Sequence, residues 1–300
     1  MSSYLASAAP QAPPSARRRT FCVGLTAKAG LAAVGLAGSG RAGAEASSGA
    51  TWPGMRVIDE RQTRFGRLYV VEVGRKRYLA YGPGARFVFQ SGIDLDRPHE
   101  LLASYTRVMM LGMVYAPTPE RVVQIGVGAG NMAGYAIRTF PMSTVHAIDI
   151  DPEALDLGAR HFGLAPHPRL RVHVEDGRRW LESTPGRFDV VMLDAYDNKG
   201  IPAALREAGF FTLVASRLAV GGVVVQNVFT EQVDAPRLIA AMRTAFAQVD
   251  VYRAERNRVL IGYAGPPRLP ADLRARAREL DARLRPAHSL DSLLDLRTVD

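Results

Sequence analysis

Cysteine is almost absent from this sequence: Cys22 is the only one among 300 residues. A single thiol cannot form a disulfide within the chain, and residues 45–300 offer no cysteine as a metal ligand or a nucleophile. The six histidines show no spacing typical of a metal site. We therefore predict neither a metal site nor thiol chemistry.

Long apolar runs are missing as well, and this bears on the first 44 residues. Three arginines, Arg17 to Arg19, precede a Gly/Ala-rich stretch that Lys28 interrupts, so the stretch falls short of the ~20 apolar residues of a membrane span. With Arg18-Arg19-Thr20-Phe21 at its core and Ala42-Gly43-Ala44 at a cleavage position, the segment resembles a twin-arginine export signal. It predicts a signal over 1–44, an exported or periplasmic protein and no stable membrane span in the mature chain. The alternative is a cytoplasmic protein with a disordered basic leader.

A large basic surplus is also missing once this leader is set aside. The chain has 38 Lys and Arg residues and 29 Asp and Glu residues. Residues 1–44 contain five of the basic residues and no acid, which leaves 33 against 29 in the remainder, a net charge of +4. No run of Lys and Arg with interleaved aromatics occurs, so the sequence does not predict a nucleic-acid partner.

What the sequence does contain is a change in the predicted secondary-structure pattern near residue 100. Residues 55–92 hold short strand-like segments separated by Gly-containing turns, which predicts a small β domain over 45–100. Residues 101–265 begin with a predicted helix over 101–115, then alternate apolar strands with helices, and end in a hairpin over 249–265. Strands apolar on both faces are typical of a parallel sheet covered by helices. The predicted fold class is therefore a Rossmann-like α/β sheet, mostly parallel with a terminal antiparallel hairpin, followed by a helical tail over 266–300.

A glycine-rich turn follows the strand RVVQIG. Gly126, Gly128 and Gly130 let the backbone turn sharply and approach a ligand beside a helix N-terminus. Asp149 ends the next strand, 23 residues after Gly126, where an acid can hold the ribose hydroxyls of a nucleoside. The turn alone also fits helix-strand packing; together the two features predict a nucleoside cofactor.

Two further strands also end in acids. Asp176 follows the strand RLRVHV, and the strand FDVVMLD ends at Asp194, with Asp197 three residues later. Because ligands in an open α/β sheet lie beyond the carboxyl ends of the strands, we expect Asp149, Asp176 and Asp194 at one edge. A lone Asp after a strand often caps a helix or a turn, but a set of independent caps would not be expected to converge in this way.

In their order and spacing, these motifs resemble the polyamine aminopropyltransferases, of which spermidine synthase is the usual example. The resemblance covers roughly residues 60–265 and includes the small β unit, Ser104-Tyr105 on a helix, the glycine-rich turn, Asp149-Ile150-Asp151, Asp176-Gly177, and the D-x-x-D from Asp194 to Asp197. It implies a methyltransferase-type Rossmann fold that transfers an aminopropyl group from decarboxylated S-adenosylmethionine to an amine such as putrescine. It also suggests a homodimer.

The resemblance further implies roles for individual residues. Asp149, beside Ile150 and the turn glycines, would hold the donor's ribose, and Asp176 and Gly177 would border its adenine. Asp194 would be the base facing the amine, and Asp197 and Tyr105 would help to position the polyamine. These roles suit the chemistry, because amines with a pKa near ~10 are mostly protonated at neutral pH and must lose a proton before they attack.

The sequence departs from the family mainly where the polyamine would bind. Ala129 stands in place of an acid, Thr106 and Arg107 in place of Gln or His followed by Glu, and Gly66 in place of a glutamine. Residues 198–202 replace a Pro-x-Gly-Pro segment, and the aromatic substrate loop before the last strand is missing. The sequence therefore predicts the class of donor better than the identity of the acceptor.

Two alternatives stay open. A methyltransferase would use S-adenosylmethionine itself, whose carboxylate would need a cation such as Arg107 or Lys199 among these acids. A non-catalytic protein would bind the nucleoside or the polyamine without turnover, and the departures at Ala129, Thr106 and Arg107 favour it.

Overall fold

The computed structural model describes residues 54–82, 88–197 and 199–298. The expected export signal over 1–44 lies outside these ranges and stays a prediction. Within the same ranges, no helix combines the length and the apolar composition that crossing a membrane requires.

Residues 55–82 and 88–94 contain a small antiparallel sheet in which each strand pairs with the next along the chain. Its strands are β1 (Met55–Thr63), β2 (Gly66–Val73), β3 (Lys76–Tyr81) and β4 (Val88–Asp94). Strand β2 is buried on both faces, because Leu68 and Val70 pack in one apolar cluster while Tyr69 and Val71 pack in another. The sequence predicts β2, β3 and β4 but misses β1, in which only Thr63 is buried and whose residues form no apolar run.

A larger sheet carries the rest of the described chain. Its spatial order is β12-β10-β11-β9-β8-β5-β6-β7, parallel from β9 to β7 and antiparallel from β12 to β9. The strands are β5 (Arg121–Ile125), β6 (Thr144–Asp149), β7 (Leu170–Val174), β8 (Phe188–Leu193), β9 (Leu218–Phe229), β10 (Gln248–Ala254), β11 (Asn257–Tyr263) and β12 (Arg297–Thr298). The predicted fold class, including the terminal hairpin β10–β11, is confirmed.

Helices cover both faces of this sheet. They are α1 (Ser104–Met109), α2 (Gly112–Tyr115), α3 (Asn131–Thr139), α4 (Pro152–His161), α5 (Gly177–Ser183), α6 (Ala208–Ser216), α7 (Ala235–Arg243), α8 (Pro270–Leu284) and α9 (Leu290–Leu293). Alternate residues of the central strands face opposite layers: Val190 and Val225 pack with α1, α2, α3 and α8, whereas Val191 and Val224 pack with α5, α6 and α7. This two-sided burial explains why the strands consist of nearly continuous apolar residues.

The predicted single helix over 101–115 is wrong in detail, because the segment is two short helices. The amides of Met110 and Met113 donate to the carbonyls three residues earlier, Arg107 and Met110, which tightens the backbone between α1 and α2. Gly112 starts α2 in close contact with β9, where an added Cβ would lie 2.6 Å from Val225 Cγ2. The break therefore fits α2 against the sheet at a distance that a continuous helix with a side chain at 112 would not allow.

The C-terminal tail is helical at first and then returns to the sheet. Helix α8 buries Leu273, Ala277 and Leu280, and after α9 and a 3-10 helix (Leu294–Leu296) the chain adds β12 beside β10. This last strand, which the sequence pattern does not predict, brings Arg297 within 2.5 Å of the buried carboxylate of Asp250. The tail is thus held by a polar contact as well as by apolar packing.

Candidate active site at the carboxyl edge of the parallel strands

The glycine-rich turn lies between β5 and α3. Gly126, Gly128 and Gly130 have φ angles of 83°, 53° and 84°, in the left-handed region that favours glycine. At Gly126 the reason is also steric, because an added Cβ would lie 2.5 Å from the backbone of Asp194 and from the amide nitrogen of Ala195. The turn is therefore fitted closely against the end of β8.

Asp149, at the end of β6, is bonded to this turn. Its Oδ2 accepts hydrogen bonds from the amides of Val127 (2.7 Å) and Gly128 (2.9 Å), and its Oδ1 accepts one from the amide of Asp151 (3.0 Å). Burial raises the pKa of Asp149, against the lowering by these three amides. A carboxylate has about four acceptor positions, so Asp149 keeps capacity for a further donor such as a ribose hydroxyl.

The two residues after Asp149 have different surroundings. Asp151 is 3% exposed, caps α4 through the amide of Glu153 (3.1 Å), and accepts a hydrogen bond from Tyr81 of the small sheet. Ile150 is exposed, and its carbonyl accepts from Arg64 Nη2 at 2.7 Å. Asp151 therefore acts in the contact between the two sheets, while the Ile150 side chain remains at the surface beside the turn.

Asp176 and Gly177 lie at the start of α5, beyond the end of β7. Asp176 caps the helix by accepting from the amide of Arg179 (3.0 Å). Gly177 is buried against β5, where an added Cβ would collide with the Ile125 side chain. The structure thus gives both residues a structural role, and it also brings them to the same edge as Asp149 and Asp194.

Asp194 follows β8 and accepts hydrogen bonds from two other elements of the fold. Its Oδ1 accepts from Asn227 Nδ2 at 2.7 Å, and its Oδ2 accepts from the Tyr105 hydroxyl at 3.2 Å. Burial raises the pKa of Asp194 to about 7, against the lowering by these two donors, and the charge of Asp149 adds to the rise. The same environment raises the pKa of Tyr105 well above its usual value, so its hydroxyl stays protonated and donates.

The Asn227 amide is itself held by another strand. Asn257 Nδ2, at the start of β11, donates to Asn227 Oδ1 at 2.8 Å, which turns the Asn227 NH₂ group toward Asp194. The site residues predicted from the sequence include neither Asn227 nor Asn257. No local motif marks Asn257, and only the pairing of β11 with β9 brings it beside Asn227.

A cavity opens in front of Asp194, with a volume of about 350 Å³ including its open mouth. Besides Asp194, its polar lining consists of Ser91, Tyr105, Thr106, Gln124 and Asn131. Its apolar lining consists of Leu101, Leu102, Ala103, Val127 and Met132, with Gly92 beside Ser91.

Two of the lining residues carry buried acceptors without a partner. Gln124 is 2% exposed, its Nε2 donates to the carbonyl of Gly126 at 2.9 Å, and its Oε1 has no hydrogen bond. Asn131 Oδ1, at the start of α3, is also buried and unpaired. Because buried polar atoms are nearly always hydrogen-bonded, these oxygens indicate a place where a ligand or water donates.

Asp197 is not part of this cavity lining. Its side chain is exposed, and its Oδ1 accepts from the amide of Lys199 at 2.7 Å within a turn closed by Asp197 and Gly200. Lys199 is exposed as well. The structure therefore does not bring the second acid of the D-x-x-D motif to Asp194.

The positions that depart from the family pattern are also accounted for. Arg107 points to the chain itself, since its Nε donates to the carbonyl of Leu101 (2.8 Å) and its Nη2 to that of Leu102 (3.1 Å). Thr106 lines the cavity with its hydroxyl bonded to the Ala103 carbonyl at 2.7 Å. Ala129 is fully buried in the apolar cluster with Leu68 and Leu79, so an acid there would be buried without water. Gly66 lies at the start of β2 with φ of 129°.

No group of three or more potential His, Cys, Asp or Glu metal ligands is found in the part of the chain that the structure describes. His146 and His173 do lie together, with Nδ1 and Nε2 3.1 Å apart, but they stack on each other and pack at a tilt against Trp180 beside the edge strand β7, and neither lines the cavity.

Comparison with known families gives a match over the region that carries the cavity. The family model described as "Spermine/spermidine synthase domain" matches residues 102–255. A polyamine aminopropyltransferase of Vibrio vulnificus is 27% identical over 163 residues, which are 52% of this chain and 54% of that protein. Polyamine aminopropyltransferase 2 of Pseudomonas aeruginosa is 34% identical over 210 residues, or 66% of this chain and 58% of that protein. The chain thus spans little more than half the length of these two relatives.

Solved structures show the same fold at lower identity. A probable spermidine synthase from Corynebacterium glutamicum aligns with a TM-score of 0.63 at 23% identity, covering 75% of this chain and 88% of that one. Human methyltransferase-like protein 13 in complex with SAH aligns with a TM-score of 0.57 at 23% identity, covering 62% and 94%. The fold is therefore shared with a probable spermidine synthase and with a methyltransferase-like protein.

Proposed function

Because the chain belongs to the spermine/spermidine synthase domain family, we propose that it is a transferase that alkylates an amine with the aminopropyl group of decarboxylated S-adenosylmethionine. The observation that carries the proposal is Asp194, a partly buried carboxylate on the wall of the cavity, whose pKa is raised to about 7. A base with a pKa near the working pH is suited to take a proton from a substrate nitrogen.

The residues of the turn fit a nucleoside. Gly126, Gly128 and Gly130 keep the turn free of side chains, and Asp149 retains acceptor capacity beside it. Bound there, the donor would supply a sulfonium-activated carbon for attack by the nitrogen, and the carbon–sulfur bond that breaks would release methylthioadenosine. Asp149 would accept hydrogen bonds from the ribose hydroxyls. Asp176 and Gly177 lie at the same edge of the sheet, where they would border the adenine of the donor.

The chemistry on the protein's side is centred on the Asp194 carboxylate. When ionised, it attracts an ammonium ion into the cavity, and it accepts the proton that the nitrogen must lose as it attacks. Asn227 and Tyr105 both donate to this carboxylate, which fixes its orientation and partly offsets the effect of burial on its pKa. The apolar wall formed by Leu101, Leu102 and Met132 limits water around the reacting atoms.

A second candidate is methyl transfer from S-adenosylmethionine itself. It is favoured by Ala129, which is fully buried where the family has an acid that contacts substrate, and by the likeness to a methyltransferase fold. Arg107, although bonded to carbonyls, places a positive charge behind one wall of the cavity.

The test is product analysis by mass spectrometry with purified chain, a panel of amines and each donor in turn. We expect an aminopropylated amine with the decarboxylated donor only, and we expect Asp194→Asn to lower turnover about 100-fold or more without unfolding the protein. A methylated product with S-adenosylmethionine would support the second candidate. Binding of methylthioadenosine without product from either donor would mean a non-catalytic binding protein and would overturn the proposal. The homodimer that the resemblance suggests stays a prediction.

A further inference from the structure

Resting on this proposed function, we propose that the acceptor is an amine with a single positive charge and a neutral hydrogen-bonding group at its other end, such as an amino alcohol. A diamine, with two ammonium groups, fits the charges and dipoles that line the cavity poorly.

The cavity offers one negative charge. Among the described residues that line it, Asp194 is the only acid. The undescribed internal residues, 83–87 and 198, contain no Asp or Glu in the sequence. One buried carboxylate can balance the charge of one ammonium group. A second ammonium group would have to enter the cavity without a negative partner.

The other acids of this edge are engaged elsewhere. Asp197 is exposed and bonded within its own turn through the amide of Lys199. Asp149 holds the glycine-rich turn, and Asp151 caps α4 while it accepts from Tyr81. None of these three carboxylates lines the cavity in the described structure.

The wall formed by Leu101 and Leu102 has positive charge behind it. The guanidinium of Arg107 donates to the backbone carbonyls of both residues, at 2.8 and 3.1 Å. These bonds occupy carbonyl oxygens that could otherwise have received an ammonium group. A second cation on this side of the cavity would meet a like charge.

The remaining polar wall is neutral, and two of its acceptors lack a donor. The Nε2–Gly126 bond fixes the Gln124 amide so that Oε1 is left unpaired, and Asn131 Oδ1, in the same cavity lining, is unpaired as well. A hydroxyl group can donate to such an oxygen at a small desolvation cost, whereas an ammonium group without a counter-charge loses much more hydration. The lining therefore selects a neutral donor for the end of the acceptor away from Asp194.

The test compares two amines of equal length, 4-amino-1-butanol and 1,4-diaminobutane. Their binding to the whole chain is measured by titration calorimetry at pH 8 in the presence of methylthioadenosine, so that turnover is not needed. We expect the amino alcohol to bind about tenfold more tightly. Equal or tighter binding of the diamine, or binding of neither amine, would overturn the inference.

A charge variant checks that the cavity lining sets this preference. Asn131→Asp adds a carboxylate at the first residue of α3, a position that favours acids, so the fold should be kept. We expect it to shift the ratio of the two dissociation constants toward the diamine by about tenfold. Ala208→Asp adds the same charge at the first residue of α6, outside the cavity lining, and should leave the ratio unchanged. An equal shift of this ratio in both variants would contradict the inference that the cavity lining sets the preference between the two amines.

The two proposals fail separately. If the amino alcohol binds selectively but neither donor alkylates it, the transferase function is wrong and the inference on the ligand stands. If 1,4-diaminobutane is bound more tightly and is alkylated, the function stands and this inference is wrong.

Discussion

Asp194 illustrates how much a single residue depends on surroundings that are distant in sequence. The carboxylate comes at the end of an apolar strand, and burial alone would favour its neutral form. Tyr105 from α1 and Asn227 from β9 donate to its two oxygens and favour the ionised form. The outcome is a pKa of about 7, at which a small change in either influence alters the protonation state at neutral pH.

This balance predicts how stability changes with pH. Because the folded-state pKa of Asp194, about 7, exceeds the unfolded value of 3.8, the native state holds a proton that the unfolded state has lost, and stability falls as pH rises between these values. We expect Asp194→Asn to remove this loss. The free energy of unfolding of the variant, relative to that of the wild type, should therefore rise by on the order of 2 kcal/mol from pH 5 to pH 8. Urea denaturation at the two pH values measures the gap.

The control for this measurement is Asp197→Asn, since Asp197 is exposed. The difference in free energy of unfolding between this variant and the wild type should be the same at both pH values. A constant gap for Asp194→Asn as well would show that Asp194 ionises normally in the folded chain.

Residues at strand ends were the part of the site that the sequence predicted well. Asp149 and Asp194 follow apolar strands of the same parallel sheet, so their common edge could be deduced from the pattern alone. Asp197 could not be separated from Asp194 in this way, because only the turn from 197 to 200 decides which of the two side chains enters the cavity.

At the scale of elements, the pairing of β9 with β11 completes the surroundings of Asp194. In this register Val259 lies opposite Asn227 and Asn257 lies opposite Phe229, which brings the two asparagine side chains together across the strands. Strand existence was predictable from apolar runs, but register between strands 30 residues apart was not.

This pairing predicts a role for Asn257 through Asn227. Asn257→Ala frees the Asn227 amide to rotate, and loss of its hydrogen bond to Asp194 should raise the pKa of that carboxylate. We expect the midpoint of the kcat/KM pH profile to move up by about half a unit to one unit, with near-normal rates at high pH. Arg258→Ala, the next residue of β11, is the matched control; a lower rate with an unmoved midpoint in Asn257→Ala would indicate a structural role only.

Element boundaries were less predictable where packing overrides local preference. The segment 101–115 has helical spacing throughout, yet Gly112 packs against Val225 and the helix breaks before it. Strand β1 had the opposite problem, since it pairs with β2 although only one of its residues, Thr63, is buried. Neither outcome is encoded in the periodicity of the segment itself.

At the scale of the whole molecule, the tail is joined to the core by a buried polar cluster. The Asp250 carboxylate, on β10, accepts from Tyr115 (2.6 Å), from Tyr263 (3.3 Å) and from Arg297 of β12. Asp250 is 9% exposed, so these donors take the place of most of the water around its carboxylate. Tyr115 of α2 and Arg297 of β12, which are 182 residues apart in the sequence, therefore meet at one carboxylate.

Removing the cation of this cluster should destabilise the fold. Arg297→Met keeps much of the apolar stem but leaves the Asp250 carboxylate without a positive partner, and we expect a loss of about 2 to 4 kcal/mol in the free energy of unfolding. Arg283→Met, which breaks only the surface ion pair with Glu279, should lose less than about 1 kcal/mol. Urea denaturation compares the two; similar losses would mean that Arg297 adds little more than a surface charge.

The small sheet and the large one meet at the glycine-rich turn. Ser91 of β4 accepts a hydrogen bond from the amide of Ala129 at 3.1 Å, and Ser91 and Gly92 also line the cavity. Both residues precede the stretch that the family model matches, 102–255. If relatives exchanged only that matched stretch by recombination, the hybrid would inherit Asp194 and the glycine-rich turn from one parent. It would inherit the part of the cavity lining formed by Ser91 and Gly92 from the other. The cavity lining would then come from two gene segments, so the small sheet and the matched stretch would have to be inherited together for the lining to be kept.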